Sequence, residues 1–290
     1  MFFWKKTSQY NFSYLLEKIT LAPFKNEPFK HLYIEDFFSS EHFNAITASP
    51  EIKIPPARDD EDLIEKLHAQ NYREIQFPGT TTDLESYIKW HGNRENAPVL
   101  NNDTCEGFGV TFRLMDTKKD SILHHLSEFL KSDLFWQTLT KKFALNIDEL
   151  RPDVGIQKYL DGYEISPHPD IRHKALTFMA NINPAANSEG LDFHTHYMRF
   201  TPERAYIQTF WDRNEDVDRC WVPWSWCTTQ SRQTRNNSIV IFSPANDTLH
   251  AIKAAYDHLP TQRTQLYGNL WFKEKKSRKS VWQELPSPIS

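Results

Sequence analysis

The chain of 290 residues carries 34 basic and 38 acidic side chains, a formal net charge of −4. With 39% hydrophobic and 25% charged residues it has a folding composition, not a disordered one, and the slight acidic balance speaks against a general nucleic-acid binder, which would carry a basic excess. Eight glycines and no GxGxxG or GxxxxGK[ST] string remove the main support for a Rossmann or P-loop nucleotide site.

Cys105, Cys220 and Cys227 form no CxxC pair and are odd in number, which excludes a disulfide framework and fits a reducing compartment. Phe2, Phe3 and Trp4 precede Lys5 and Lys6, the reverse of signal-peptide order, and nowhere do about 18 apolar residues run together to span a membrane. A cytoplasmic location is expected. The length admits one large domain: a mixed, largely helical region over 1–150, a β core over 151–272 and a polar tail over 273–290. The basic run 273–279 reads as solvated tail rather than as a phosphate or lipid contact.

In chain order, residues 11–19 suit a short helix. Residues 31–34 suit a strand, with Leu32 and Ile34 on alternate positions. Ser39 or Ser40 can cap a helix running to about Thr47. Residues 59–70 form a helix pattern whose acidic start suits the helix dipole. Residues 80–102 give no clear pattern. Ile122, Leu123, Leu126, Phe129 and Leu130 make a helical stripe within 120–143, which Ser132 and Asp133 can divide in two. After about residue 150 short β-type runs take over: 155–160, 175–182, 204–211, 238–242 and 262–272, separated by turn-rich 183–187 and 243–247. The expected class is mostly β with helical support (α+β), a sandwich or barrel carrying N-terminal helices.

The histidines are where chemistry can sit. His31, His42, His68, His91 and His258 stand alone and suit surface or satisfied core roles. His124 and His125, adjacent on a helix, cannot face one site. His168, Pro169 and Asp170 close the strand-like stretch 155–165; on a strand, positions i and i+2 share a face, so His168 and Asp170 can converge on one ion. His250, after the run 238–242 and a turn, is the best third ligand. Two histidines and one carboxylate leave three positions open on an iron, the facial triad of non-haem Fe(II) oxygenases. Arg263 follows in the last strand run. An arginine inside a barrel is costly unless it meets an anion, and its planar fork suits a carboxylate.

His168, Asp170, His250 and Arg263 together resemble the Fe(II)/2-oxoglutarate-dependent dioxygenase superfamily, in its prolyl-4-hydroxylase-like branch. Residues 150–272 carry the resemblance well. Residues 28–48 carry it loosely, through the strand-then-helix pattern at 31–47. The resemblance implies a double-stranded β-helix, a distorted jelly roll. It implies Fe(II) held by His168, Asp170 and His250, with 2-oxoglutarate chelating the iron, its distal carboxylate on Arg263, and O2 as the third reactant. Tyr159 and Asn181 fall near positions that often hydrogen-bond the cosubstrate. Asn181 stands where relatives often carry Tyr, and Gln265 where a serine is common. Related halogenases carry a small residue at the Asp170 position, so a carboxylate there implies hydroxylation or desaturation.

His194 and His196 form a rival i, i+2 pair, but the nearby Glu and glycine-bounded pattern of a cupin are missing, so substrate contact or a polar loop remain. His173 suits a substrate-side or exposed role. Trp211, Trp221, Trp224 and Trp226, crowded with Asp212, Arg213, Asp216, Asp218 and Arg219, suit either a packing loop or a substrate lid; their faces and charged edges fit a sugar, nucleoside or amino acid. The expected activity is hydroxylation of a polar small molecule or saccharide unit, with 2-oxoglutarate converted to succinate and CO2. The alternatives are a peptide or protein side-chain hydroxylase, a non-catalytic jelly-roll binding module, and a hydrolase holding zinc on the same ligands.

Overall fold

The computed structural model describes residues 10–76, 83–93, 105, 107–214, 217 and 220–273. The first residues of the chain, Asp216, Asp218, Arg219 and the tail from 274 onward lie outside the described residues. The first half holds α1 (Tyr14–Leu21), β1 (Leu32–Ile34), α2 (Ser40–Thr47), α3 (Asp60–Ala69), β2 (Tyr72–Ile75), α4 (Leu84–His91), β3 (Gly107–Phe108), β4 (Thr111–Leu114), α5 (Ile122–Lys131) and α6 (Asp133–Phe143). The second half holds β5 (Leu150–Tyr159), β6 (Glu164–His168), β7 (Lys174–Asn181), β8 (His196–Phe200), α7 (Tyr206–Arg213), β9 (Cys227–Arg232), β10 (Ile239–Phe242), β11 (His250–Lys253) and β12 (Arg263–Phe272).

The helices start where short polar side chains can satisfy their free N–H groups. Ser39 accepts from the His42 N–H, Asp59 from that of Asp62 and Ser121 from that of His124. Ser132 ends α5 and caps α6 by accepting from the Phe135 N–H, so one serine makes the break that the sequence suggests.

The strands form two antiparallel sheets, ordered β1-β10-β7-β12-β5-β4-β2 and β3-β6-β11-β8-β9. From β5 onward the pairing is nested: β5 with β12, β6 with β11, β7 with β10, β8 with β9. A long antiparallel ribbon rolled so that its pairs alternate between two sheets is a jelly roll, the double-stranded β-helix. The first half is not simply a helical support. It supplies β1, β2 and β4 to the larger sheet and β3 to the smaller. β2, β3 and β4 are four residues or fewer and fall outside the runs that the sequence marks as strands.

The outer face of the larger sheet is the main core. Leu15, Leu63, Leu123, Leu126, Phe135 and Leu139 from the helices pack with Ile156, Leu176, Phe178, Leu266 and Leu270 from the strands. Each such side chain contributes about 1.5–3 kcal/mol on burial. Gly268 is required by close approach: a Cβ there would lie 2.3 Å from the Phe178 ring. The inner face carries the opposite set, since side chains alternate along a strand. Arg263, Gln265, Tyr267, Asn269 and Trp271 of β12 all line the cavity between the sheets.

Two local expectations are corrected. Residues 204–211 are not a strand; Tyr206–Arg213 is α7. Its buried residues, Ile207 and Trp211, are one helical turn apart, and Pro202 opens the 3-10 turn before it. The stretch 155–165 is two strands with a reversal between β5 and β6, and β6 ends at His168. Among the described residues no helix is long and apolar enough to cross a membrane.

Candidate active site

His168 closes β6 and His250 opens β11, and the two are direct cross-strand partners. Their ring centroids are 4.4 Å apart. His168 Nδ1 lies 2.8 Å from the Ser166 carbonyl and His250 Nδ1 lies 3.0 Å from that of Thr248. A carbonyl only accepts, so each Nδ1 carries the proton and each Nε2 keeps a lone pair. Both lone-pair nitrogens face Asp170, at 3.9 Å from Oδ1 for His168 and 4.0 Å from Oδ2 for His250. One ligand atom from each of the three residues lies within 4.8 Å of the others.

Asp170 reaches this point by a turn, not by strand alternation. Its φ of 71° is left-handed, a region that Asp tolerates better than most residues. The Thr248 hydroxyl pins the turn by donating to the Pro169 carbonyl. Both carboxylate oxygens are held: Oδ1 accepts from Lys174 Nζ at 2.6 Å, and Oδ2 from Thr177 Oγ1 at 2.7 Å. Lys174 also bonds the Tyr267 hydroxyl at 2.8 Å.

The electrostatics suit ligation. Burial pushes the His168 imidazole down to about 3, with His250 adding to the effect, and burial lowers His250 as well. Both rings are therefore neutral at neutral pH, as metal ligands must be. Burial alone would raise the Asp170 carboxyl, but Lys174, His250 and His168 outweigh it and keep it ionised. Two Nε2 lone pairs and a carboxylate, each ring backed by a backbone carbonyl through its other nitrogen, fit a divalent transition metal.

Arg263 lies at the start of β12, deeper in the same cavity of about 400 Å³. It is 3% exposed. Nη2 donates to Thr195 Oγ1 at 2.9 Å, and the guanidinium lies over the Tyr159 ring, 4.5 Å from its centroid. Burial lowers its pKa, against the influence of Tyr159, Tyr163, Tyr256 and Tyr197. No carboxylate pairs with it among the described residues. A buried guanidinium surrounded by tyrosines is a receptor for an anion.

No family model matches the chain, and no curated protein matches it. The chain is similar to solved 2-oxoglutarate-iron oxygenases. One is a prolyl hydroxylase from Trichoplax adhaerens in complex with a hypoxia inducible factor peptide fragment, at 9% identity, with 89% of this chain and 86% of that one covered and a TM-score of 0.38. Another is HygX from Streptomyces hygroscopicus with nickel, 2-oxoglutarate and hygromycin B bound, at 8% identity, 84% and 83% coverage and a TM-score of 0.37. A third is an oxidoreductase of the 2OG-Fe(II) oxygenase family from Burkholderia pseudomallei, at 10% identity, 73% and 90% coverage and a TM-score of 0.31.

The other residues singled out in the sequence fall as follows. Tyr159 lines the cavity and donates its hydroxyl to Gln157 Oε1. Asn181 does not line it; its Nδ2 donates to the Gln233 and Arg235 carbonyls and its Oδ1 accepts from Gln265. His194 and His196 bond Glu189 and Thr229, away from the ligand group, while Thr195 between them serves Arg263. His173 packs against Trp271. Of the tryptophans, Trp221 lines the cavity beside His168, at 5.9 Å between ring centroids. Trp224 bonds Glu164, and Trp211 is buried on α7. Lys174, Thr177 and Thr195 are missed by sequence reasoning. The weak signal for Lys174 is its place four residues after Asp170.

His91 and His258 do not stand alone. With Asp60 and Asp161 they form a second buried group. His258 Nδ1 accepts from the Asp161 N–H at 2.9 Å, so its proton sits on Nε2, which donates to Asp60 Oδ1 at 2.7 Å. That leaves His258 no lone pair for an ion. Burial would raise the Asp60 carboxyl, but His258 and His91 hold it well below the usual range. This group is a closed hydrogen-bond network tying α3, α4 and the loop before β12 to the turn after β5.

Proposed function

We propose that the chain is an Fe(II)/2-oxoglutarate-dependent oxygenase that hydroxylates a C–H bond of a polar small molecule or a saccharide unit. The observation that carries this is the pairing, within one cavity, of the ligand set His168, Asp170 and His250 with a deeply buried Arg263 that has no carboxylate of its own among the described residues. Four strand positions separate Arg263 from Tyr267, about 13 Å of backbone. Tyr267 contacts the ligand set through Lys174. The Arg263 side chain and a five-carbon diacid fill such a span.

Iron, 2-oxoglutarate and O2 would supply the oxidising power, with succinate and CO2 as co-products. The residues supply geometry. His168 and His250 present fixed Nε2 lone pairs, and Asp170 offers a carboxylate already oriented by Lys174 and Thr177. Arg263 takes the distal carboxylate. Tyr159, Tyr163 and Trp221 keep the space between apolar and exclude water. The first 150 residues and the jelly roll act as one unit in this reading, because β1, β2 and β4 complete the larger sheet. The nearly balanced charge supports a small-molecule partner over nucleic acid. A zinc hydrolase would leave Arg263 without a purpose, and a binding module that had lost the chemistry would not be expected to keep His168, Asp170, His250 and Arg263 all intact.

The test needs no substrate. Fe(II) and then 2-oxoglutarate are added to the protein without oxygen, and the visible spectrum is recorded with His168→Ala as control. A weak metal-to-ligand charge-transfer band in the wild type alone is expected. Bound metal without such a band would overturn the proposal.

A further inference from the structure

We propose that Arg113 and Asp153 form the substrate-binding wall of the cavity and that they select a zwitterion, a small molecule carrying an ammonium and a carboxylate, such as a free amino acid with a hydrocarbon side chain. The inference rests on the oxygenase reading above and narrows its substrate.

The register places this wall level with the ligand set. Thr177 of β7, Asn269 of β12 and Asp153 of β5 occupy one cross-strand row. Thr177 bonds Asp170. Neighbouring strands are about 4.8 Å apart, so Asp153 stands roughly 10 Å along the row from Thr177. A molecule of a few carbons can touch Asp153 at one end and lie before the ligand set at the other.

Arg113 comes to this place from β4, where it pairs with Gln157. Its side chain runs over Gly155 to reach Asp153. A Cβ on residue 155 would lie 2.5 Å from the Arg113 Nε and 3.0 Å from its Cζ, so the missing side chain is what opens the path. Nη2 donates to Asp153 Oδ1 at 2.5 Å and to the Val154 carbonyl at 2.8 Å, while Nη1 is 3.4 Å from Oδ2. One bond is short and the other contact is long. Oδ2 and Nη1 are left weakly engaged, an anionic acceptor and a cationic donor side by side. The two side chains are 23% and 35% exposed and both line the cavity.

The chemistry of such a pair decides what it takes. A ligand with a single charge would part the pair and leave one member without a partner, a cost that weighs against it. A zwitterion replaces one ion pair by two and leaves no charge alone. A polyhydroxylated ring would need further polar groups along its length. The polar side chains near the ligand set are committed: Lys174 and Thr177 to Asp170, with Asn269 in contact with Thr177. The rest of the nearby lining includes Ile75, Ile165, Ile171, Tyr267, Trp221 and Trp271. Those surfaces suit a hydrocarbon chain leading from the charged head to the oxidised carbon.

The test reads binding directly. Full-length protein loaded with Zn(II) and 2-oxoglutarate is mixed with a pool of the common L-amino acids, and separately with a pool of neutral mono- and disaccharides, and bound ligands are detected by saturation-transfer NMR. Binding of at least one amino acid is expected, weakened tenfold or more in Asp153→Asn and in Arg113→Gln. Gly155→Ala, which displaces the guanidinium without removing its charge, should weaken it as well. Absence of amino-acid binding, binding unchanged in both charge variants, or saccharide binding that depends on Asp153 would each overturn the inference. The anaerobic Fe(II)/2-oxoglutarate band is measured in the wild type and the three variants. If the band is present and no amino acid binds, the zwitterion inference falls and the oxygenase reading stands. If the band is absent from the wild type, the oxygenase reading falls and takes the inference with it.

Discussion

His168 and His250 face each other across β6 and β11, and each gives its Nδ1 proton to the carbonyl two residues before it. The symmetry fixes both tautomers before any ion arrives, so little reorganisation accompanies binding. Either His→Ala substitution should therefore lower Co(II) affinity at least a hundredfold, read by the cobalt d–d spectrum. Excess metal at about a hundred times its Kd should stabilise the wild type by roughly 2.7 kcal/mol. The variants should show no thermal shift with metal.

Arg263 gives opposite signs in two assays. Breaking a buried charge pair costs roughly 3–5 kcal/mol, so Arg263→Met should weaken 2-oxoglutarate by two orders of magnitude or more, as measured by calorimetry on the Zn(II)-loaded protein. In the cosubstrate-free protein the same change removes a buried charge that no carboxylate offsets. Urea denaturation should then show the variant as stable as the wild type or more so. A clear loss of stability would mean that the guanidinium already has its anion.

The second histidine group makes a prediction of stoichiometry. His258 is 1% exposed and its Nε2 proton is committed to Asp60. Metal analysis should give one ion per chain. His258→Ala should leave that count unchanged while destabilising the fold by about 1–3 kcal/mol through orphaned buried partners. His250→Ala should reduce the count to zero.

The jelly roll and its ligand set are legible in the sequence to different depths, for physical reasons. The runs behind β7, β10 and β12 are long enough to show their patterns, and Ser132 announces its helix break. Tyr206–Arg213 misleads because aromatic and β-branched residues read as strand until the four-residue spacing of Ile207 and Trp211 is weighed. His168 and Asp170 do converge, yet through a left-handed turn that no spacing rule contains. Arg113 and Asp153 are forty positions apart and meet only because β4 lies beside β5. Lys174 and Thr177 acquire their role from where Asp170 points.

Lys158 supplies a pH test remote from the cavity. It is wholly buried, and its Nζ donates to the Ile52 carbonyl at 2.7 Å and to Thr264 Oγ1 at 2.8 Å. Burial pulls its pKa down to about 7. Between about pH 7 and the unfolded value of about 10.4, the unfolded chain binds a proton that the folded chain does not. Stability from this group therefore rises with pH across that window. Lys158→Met should be more stable than the wild type at pH 6 by a few kcal/mol, and the gap should shrink as pH approaches 10. Denaturant titrations at pH 6, 8 and 9.5 measure it; a constant gap would mean that the folded amine keeps its proton over this range just as the unfolded one does.

Asp170 calls for a choice of substitution that the fold itself dictates. Its φ of 71° favours Asn over Ala, because Asn tolerates the left-handed region and Ala does not. Its carboxylate also neutralises Lys174, whose side chain is 10% exposed. Asp170→Ala removes the turn former and strands a buried ammonium together, so it should destabilise the metal-free protein by several kcal/mol. Asp170→Asn keeps the turn and a carbonyl oxygen for Lys174, and should cost far less. Both should lose tight metal binding, since an amide is a poor substitute for a carboxylate on a divalent ion. Adding Lys174→Met to Asp170→Ala should recover much of the lost stability without recovering metal. If the double variant is no more stable than the single one, the stranded ammonium is not the cause, and the left-handed turn alone carries the cost.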